Sequence, residues 1–140
     1  VVAAPVVIAL SSVFSGLWRV KMENRHAGQE TPIFSKTLEL LVWLQQVSNH
    51  FPRVQRYFLT QRILETVFDL SEYLEEANHR RAKDRLDRLE RADETLDKLR
   101  MYIRMVWRLS WISDSQYGHA AGMLVEVGRL LGGWKKVTAY

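Results

Sequence analysis

The sequence predicts an all-α fold, an up-down-up-down antiparallel four-helix bundle, and three observations carry that prediction. Four segments repeat apolar residues at three- and four-residue steps, the spacing that gathers side chains on one face of a 3.6-residue helix. Short turns separate these segments, so consecutive helices are antiparallel neighbours. No stretch alternates apolar with polar residues in the way a half-buried strand does. A chain of 140 residues with a hydrophobic fraction of 47% has room and material for one core.

The first helix is expected over 33–49, after Thr31-Pro32, because a proline in the first turn gives up no needed amide hydrogen. Leu38, Leu41, Val42 and Val47 are among its apolar positions, and Leu40 to Leu44 form an unbroken apolar run. His50-Phe51-Pro52 makes the turn into a second helix over 53–79, with Leu59, Ile63, Val67, Leu70, Leu74 and Ala77 on one stripe. A third helix is expected over 82–111. Its first half is charged, with Asp84–Arg88, Asp87–Arg91 and Glu94–Lys98 spaced four apart, acid first; its stripe continues through Leu86, Leu89, Leu96, Leu99, Ile103 and Val106. The fourth is expected over 115–131, capped by Ser113 or Asp114 and stopped by Gly132 in a left-handed conformation. Tyr117, Ala120, Ala121, Leu124, Val127 and Leu131 are its buried positions. Trp134 and Tyr140 follow the Gly-Gly stop, and Trp134 is expected to fold back and close the end of its own bundle.

Residues 1–30 read as an extension outside the bundle domain of residues 31–140. Residues 1–18 carry no charge, but Pro5 and several Ser and Gly residues dilute the run, which argues against a membrane span. Met22 reads as the natural start.

Charge is distributed unevenly. The net charge is +4, yet residues 63–78 hold five acids and no base, while residues 98–140 hold seven bases against Asp114 and Glu126. Arg100, Arg104 and Arg108 form a row one turn apart, and neither Arg104 nor Arg108 has an acid three or four residues away. With Arg129, Lys135 and Lys136 they are the candidate binding residues, for phosphates or for an acidic protein surface. The competing structural reading pairs Arg100 and Arg104 with Glu65 or Asp69 of the second helix. An antiparallel third and fourth helix would separate the six into two groups.

The sequence carries no catalytic constellation. His26, His50, His79 and His119 lie on different segments without an acid-x-x-His metal pattern, and Gly132-Gly133 ends a helix where a phosphate cradle would precede one. Asp93 and Asp97 read as solvated carboxylates on a charged helix. Cysteine is absent, which removes disulfide and thiolate chemistry. The expectation is a non-enzymatic protein with no cofactor, no metal and no small-molecule substrate.

Phe51-Pro52-Arg53, Arg56-Tyr57 and Leu59, then Leu96-Asp97-Lys98-Leu99-Arg100, Ile103-Arg104, Ile112-Ser113, Gln116-Tyr117 and Val127-Gly128-Arg129-x-Leu131-Gly132-Gly133-Trp134, resemble one known family. It is the accessory variability determinant (Avd) of diversity-generating retroelements. That family is similar in turn to the four-helix-bundle proteins encoded in intervening sequences of large ribosomal RNA genes. The resemblance covers residues 33–136. It implies a cytoplasmic homopentamer that partners the element's reverse transcriptase, offers a basic surface to DNA or RNA, and is needed for mutagenic retrohoming. The alternative is a structural or interaction bundle with no role in nucleic-acid binding.

Overall fold

The computed structural model describes residues 31–139, apart from the side chains at positions 55 and 56. The expectations for residues 1–30, with Met22 and His26 among them, and for Tyr140 lie outside the described residues. Four helices are present: α1 (Pro32–Ser48), α2 (Arg53–Asn78), α3 (Ala82–Arg108) and α4 (Asp114–Ala139). Each consecutive pair packs together and α1 packs on α4, while the diagonal pairs α1·α3 and α2·α4 are not backbone neighbours. This is the square arrangement of an up-down-up-down bundle.

The core follows one rule in all four helices. Buried positions step by four and three: Ile33, Thr37, Leu40, Leu44 and Val47 in α1; Ile63, Val67, Leu70, Leu74 and Ala77 in α2; Leu89, Ala92, Leu96, Leu99, Ile103 and Val106 in α3; Ala120, Leu124, Val127 and Leu131 in α4. Alternation of three and four is the seam of helices crossing at about 20° with side chains interdigitated. Of the apolar positions named in α1, only Val47 is in the core; Leu38 and Leu41 are half-buried and Val42 is 48% exposed. The polar Thr37 takes a core position instead. Its hydroxyl donates to the Ile33 carbonyl at 2.8 Å, so burial leaves no unsatisfied donor. Thr66 and Thr95 are accommodated the same way, donating to the carbonyls of Arg62 and Arg91.

Helix ends are set by local chemistry. α3 stops at Arg108, three residues short of the expected end, because Ser110 adopts φ 61°. The Ser110 N–H then reaches the Trp107 carbonyl and the Trp111 N–H the Val106 carbonyl, both at 2.9 Å. This is a Schellman closure with serine in the left-handed place that glycine usually fills, at a cost of roughly 1–2 kcal/mol. Ser113, rather than Asp114, caps α4. Its Oγ accepts the Gln116 N–H at 3.1 Å while Gln116 Oε1 accepts the Ser113 N–H at 2.8 Å, a reciprocal capping box. Asp114 instead accepts the indole N–H of Trp107 at 2.8 Å, and the Trp107 ring stacks on Tyr117 with centroids 4.2 Å apart. Phe51, buried in the α1–α2 turn, packs on Trp111, so the two turns at this end of the bundle meet.

α4 continues through Gly132 and Gly133 to Ala139, eight residues beyond its expected end. No glycine in the described chain has a positive φ, so no left-handed stop forms. Tertiary contacts hold the extra turns. Trp134 meets Phe34 edge-on at 6.2 Å and lies 5.9 Å from the Arg85 guanidinium carbon; Lys135 donates to Asp93 at 3.1 Å, and the Thr138 hydroxyl donates back to the Trp134 carbonyl at 2.8 Å. Arg85 also donates through Nε to the Ala77 carbonyl near the C-terminal end of α2. Trp134 therefore joins α1, α3 and α4 within one chain, as expected for a residue that closes its own bundle.

Candidate functional site

Arg104 and Arg108 lie on the outward face of α3, one turn apart, and both are exposed, with neither a salt bridge nor a hydrogen bond among the described residues. Their helix places them there because the core seam runs through Leu99, Ile103 and Val106 on the opposite side. The turn behind them is held by the Schellman closure and the Trp107 contacts, so they stand on rigid backbone. The other four candidates have different surroundings.

Arg100 is half-buried. Its Nη1 donates to Asp97 at 2.6 Å, and its guanidinium lies against α4 at Gly128, where an added Cβ would stand 2.5 Å from Nη2. Arg129 forks onto Glu126 at 3.1 and 2.7 Å. That hydrogen bond, ahead of the charge attraction, draws the Glu126 carboxyl below its ordinary pKa and raises Arg129. The pair is exposed, so it contributes little to stability. Lys135 is half-buried against Asp93, which is thereby an ion-pair partner and not a free carboxylate. Lys136 is exposed and has no partner among the described residues, in the last turn of α4, where a cation suits the helix dipole.

Four of the six thus fall in two groups, as the antiparallel arrangement requires, while Arg100, packed against Gly128, and the adjacent Arg129 lie between them. Arg104 and Arg108 sit at the C-terminal end of α3, while Lys135 and Lys136 lie beside its N-terminal half through the Asp93 contact. Within the chain, the pairing of Arg100 and Arg104 with Glu65 or Asp69 does not form. Those acids neighbour Arg62 instead, which donates to the Tyr102 hydroxyl at 3.2 Å. That hydrogen bond first, with Glu65 and Asp69 adding to it, holds Arg62 above its ordinary pKa. Among the helical pairs expected in α3, Asp87–Arg91 forms at 3.2 Å, whereas Arg88 reaches across to Glu76 of α2 at 2.9 Å rather than to Asp84.

The sequence reading missed the exposed apolar side chains around these arginines. Met101, Met105 and Leu109 line the neighbouring row of α3, and Phe58 projects from α2. The signal was present in the two methionines, which fall off the core stripe and next to the arginine row. Arg53 is likewise exposed and unpaired at the start of α2. A shallow groove of about 300 Å³ between α1 and α2, lined by Ser48, Asn49, Tyr57, Thr60 and Gln61, contains no titratable cluster suited to acid–base work. No described helix is long and apolar enough to cross a membrane.

A family model described as bAvd-like matches residues 33–138, a span that takes in nearly all of the four helices. A crystal structure of a protein of unknown function from the S23 ribosomal protein family of Bacteroides thetaiotaomicron superposes with a TM-score of 0.67 at 19% identity. The match covers 74% of this chain and 95% of that one. At that identity the likeness concerns the fold. No curated protein matches the chain.

Proposed function

As the chain belongs to the bAvd-like family, we propose that it is a non-enzymatic accessory protein of a diversity-generating retroelement. In this reading it binds the element's reverse transcriptase and nucleic acid through its cationic surface, and mutagenic retrohoming depends on it. It acts as a cytoplasmic homopentamer, with residues 31–140 as the working domain and residues 1–30 outside it. The observation that carries the reading, beyond the family, is the pair Arg104 and Arg108, two exposed guanidiniums with no acid among the described residues to neutralise them. Repeated around a ring, such pairs become a positive band, which a phosphate backbone or an acidic protein surface would follow without base readout.

The test is charge reversal in the full chain. The parent should bind the reverse transcriptase of its own element, and should bind mixed-sequence DNA or RNA with an affinity that falls steeply with salt through counterion release. Arg104→Glu with Arg108→Glu should remove one or both of these interactions while oligomer mass holds and melting temperature stays nearly intact, falling only by the modest amount due to Arg108 at the end of α3. If the variant binds both as the parent does at low salt, or if it unfolds, these arginines are structural. A parent that binds neither would leave the chain as a structural or interaction bundle.

A further inference from the structure

The exposed apolar side chains at the end of α3 and the start of α2 form two outward rows that match in height and in charge. On α3, Arg100 leans on Gly128 of α4 and Tyr102 bonds to Arg62 of α2, which fixes the two flanks of the helix. Lys98, Met101, Met105 and Leu109, at steps of three and four, lie between those flanks; Met101, Met105 and Leu109 are 50%, 41% and 48% exposed. On α2, Thr60 lines the groove shared with α1, while Arg62 faces α3. Between these flanks Val54, Phe58, Gln61 and Glu65 recur at the same steps, with Val54 96% and Phe58 80% exposed. Arg62 opposite Tyr102 and Glu76 opposite Arg88 set the heights of the antiparallel pair. Counted from them, Met105 is level with Phe58 to within a residue, Leu109 with Val54 and Lys98 with Glu65. Rotation about an axis parallel to the helices leaves every height unchanged. Around such an axis, α3 of one copy therefore meets α2 of another with Met105 on Phe58, Leu109 on Val54 and Lys98 against Glu65.

We propose that the outward row of α3 is a contact surface for a second copy of the chain, and that it packs head to tail on the outward row of α2 in that copy. The proposal rests on the homopentamer reading above and assigns the surface that joins its members. Apolar meets apolar along most of the length, which removes from water side chains that the single bundle leaves there. Charge agrees with this pairing. Lys98 has no ion-pair partner among the described residues, and Glu65 accepts the neutral Gln61 amide at 3.0 Å. Residues 63–78 of the receiving helix hold five acids and no base, and α3 from Lys98 onward brings it no acid. Geometry favours closure: α2 and α3 are neighbouring corners of the square, so their outward rows point roughly a right angle apart. A head-to-tail contact between such faces closes a small ring instead of extending a filament. Arg104 and Arg108 follow Arg100 along the flank of α3 nearer α4, so they stand beside each contact and stay exposed in the ring.

The experiment makes Phe58→Glu and Met105→Glu separately in the full chain, each placing a carboxylate in one half of the contact. Light scattering at micromolar concentration reads the mass, and circular dichroism the helix content. The parent should be a ring of several copies. Each variant should fall to the 16.4 kDa of one chain with its helix content kept, because both side chains are exposed in the single bundle. Mixed in equal amounts, the two variants should give a species of two chains and nothing larger: the intact α3 row of one meets the intact α2 row of the other, and only damaged rows remain. If a carboxylate at either position unfolds the chain, Phe58→Ala and Met105→Ala serve in the same mixing test. Parent-like mass in either variant overturns the contact and leaves the accessory-protein reading standing. A mixture that stays monomeric, or that rebuilds the full ring, overturns the pairing of α3 with α2. A dimeric parent overturns the head-to-tail ring, since the same face would then meet itself about a two-fold axis. A monomeric parent overturns both the contact and the homopentamer.

Discussion

Trp134 ties three helices together, and its removal has a size that follows from its contacts. The ring meets Phe34 of α1 edge-on at 6.2 Å, lies 5.9 Å from the Arg85 guanidinium of α3, and belongs to the stretch of α4 beyond the two glycines. A fully buried Trp replaced by Ala costs roughly 3–5 kcal/mol. Trp134 is half-buried, which brings the expectation to about 2 kcal/mol, in line with one aromatic pair at about 0.5–1.5 and one cation–π contact at about 0.5–1 kcal/mol. A loss of that size lowers the melting temperature of a domain this large by about 7–9 °C. Trp134→Ala should therefore show such a drop by circular dichroism at fixed protein concentration, with the oligomer mass unchanged. Trp134→Phe, which keeps an edge for Phe34, should lose less than half as much. An unchanged melting temperature together with a reduced mass would refute the reasoning and place the ring against a neighbouring subunit.

The glycines just before it behave oppositely to a helix stop. Gly132 and Gly133 are helical, neither has a positive φ, and an added Cβ on either would meet nothing within 4 Å. Each Gly→Ala change should raise stability by about 0.5–1 kcal/mol in denaturant unfolding; a loss would show that the two positions need glycine for a reason outside the chain. At the other end of α4, Ser113→Ala removes the oxygen that accepts the Gln116 N–H, and should cost about 1 kcal/mol. Asp114→Ala, which leaves that cap in place, should instead perturb Trp107 fluorescence by freeing its indole N–H.

Three of the four helical seams were legible in the sequence for a simple reason. In α2, α3 and α4 the strongly apolar residues are sparse, so steps of three and four admit one face. In α1 the run from Leu40 to Leu44 supplies an apolar residue at almost every angle, and the core position at Thr37 looks polar until its hydroxyl is paired with the Ile33 carbonyl. The end of α4 misled for a different reason. Gly-Gly is a local signal, and contacts made by Trp134 and Lys135 forty or more residues away along the chain outweigh it. Much the same limit applies to the binding residues. Absence of an acid three or four residues away identified Arg104 and Arg108 as uncompensated, because an exposed helical face offers few other partners. It did not identify Lys135 as paired, since Asp93 lies on another helix. Arg129 could have been recognised as paired with Glu126, three residues before it.

Arg104 and Arg108 are not equivalent witnesses to a binding role. Arg108 closes α3, where the last turn of carbonyls carries partial negative charge, and a cation there contributes about 0.3–1 kcal/mol whatever it binds. Part of its presence is thus explained by the helix alone, and Arg108→Glu should lower stability by that contribution and more, because the new carboxylate opposes the same dipole. Arg104 lies a full turn further in, where the dipole's effect has fallen off, and it has no ion-pair partner to lose. A modest drop in melting temperature for the double reversal is accordingly a property of position 108 and does not speak for a structural ion pair. Arg104→Glu alone isolates the surface charge: its melting temperature should match the parent within about 0.5 kcal/mol of stability, so any loss of partner or nucleic-acid binding it causes belongs to the surface and not to the fold.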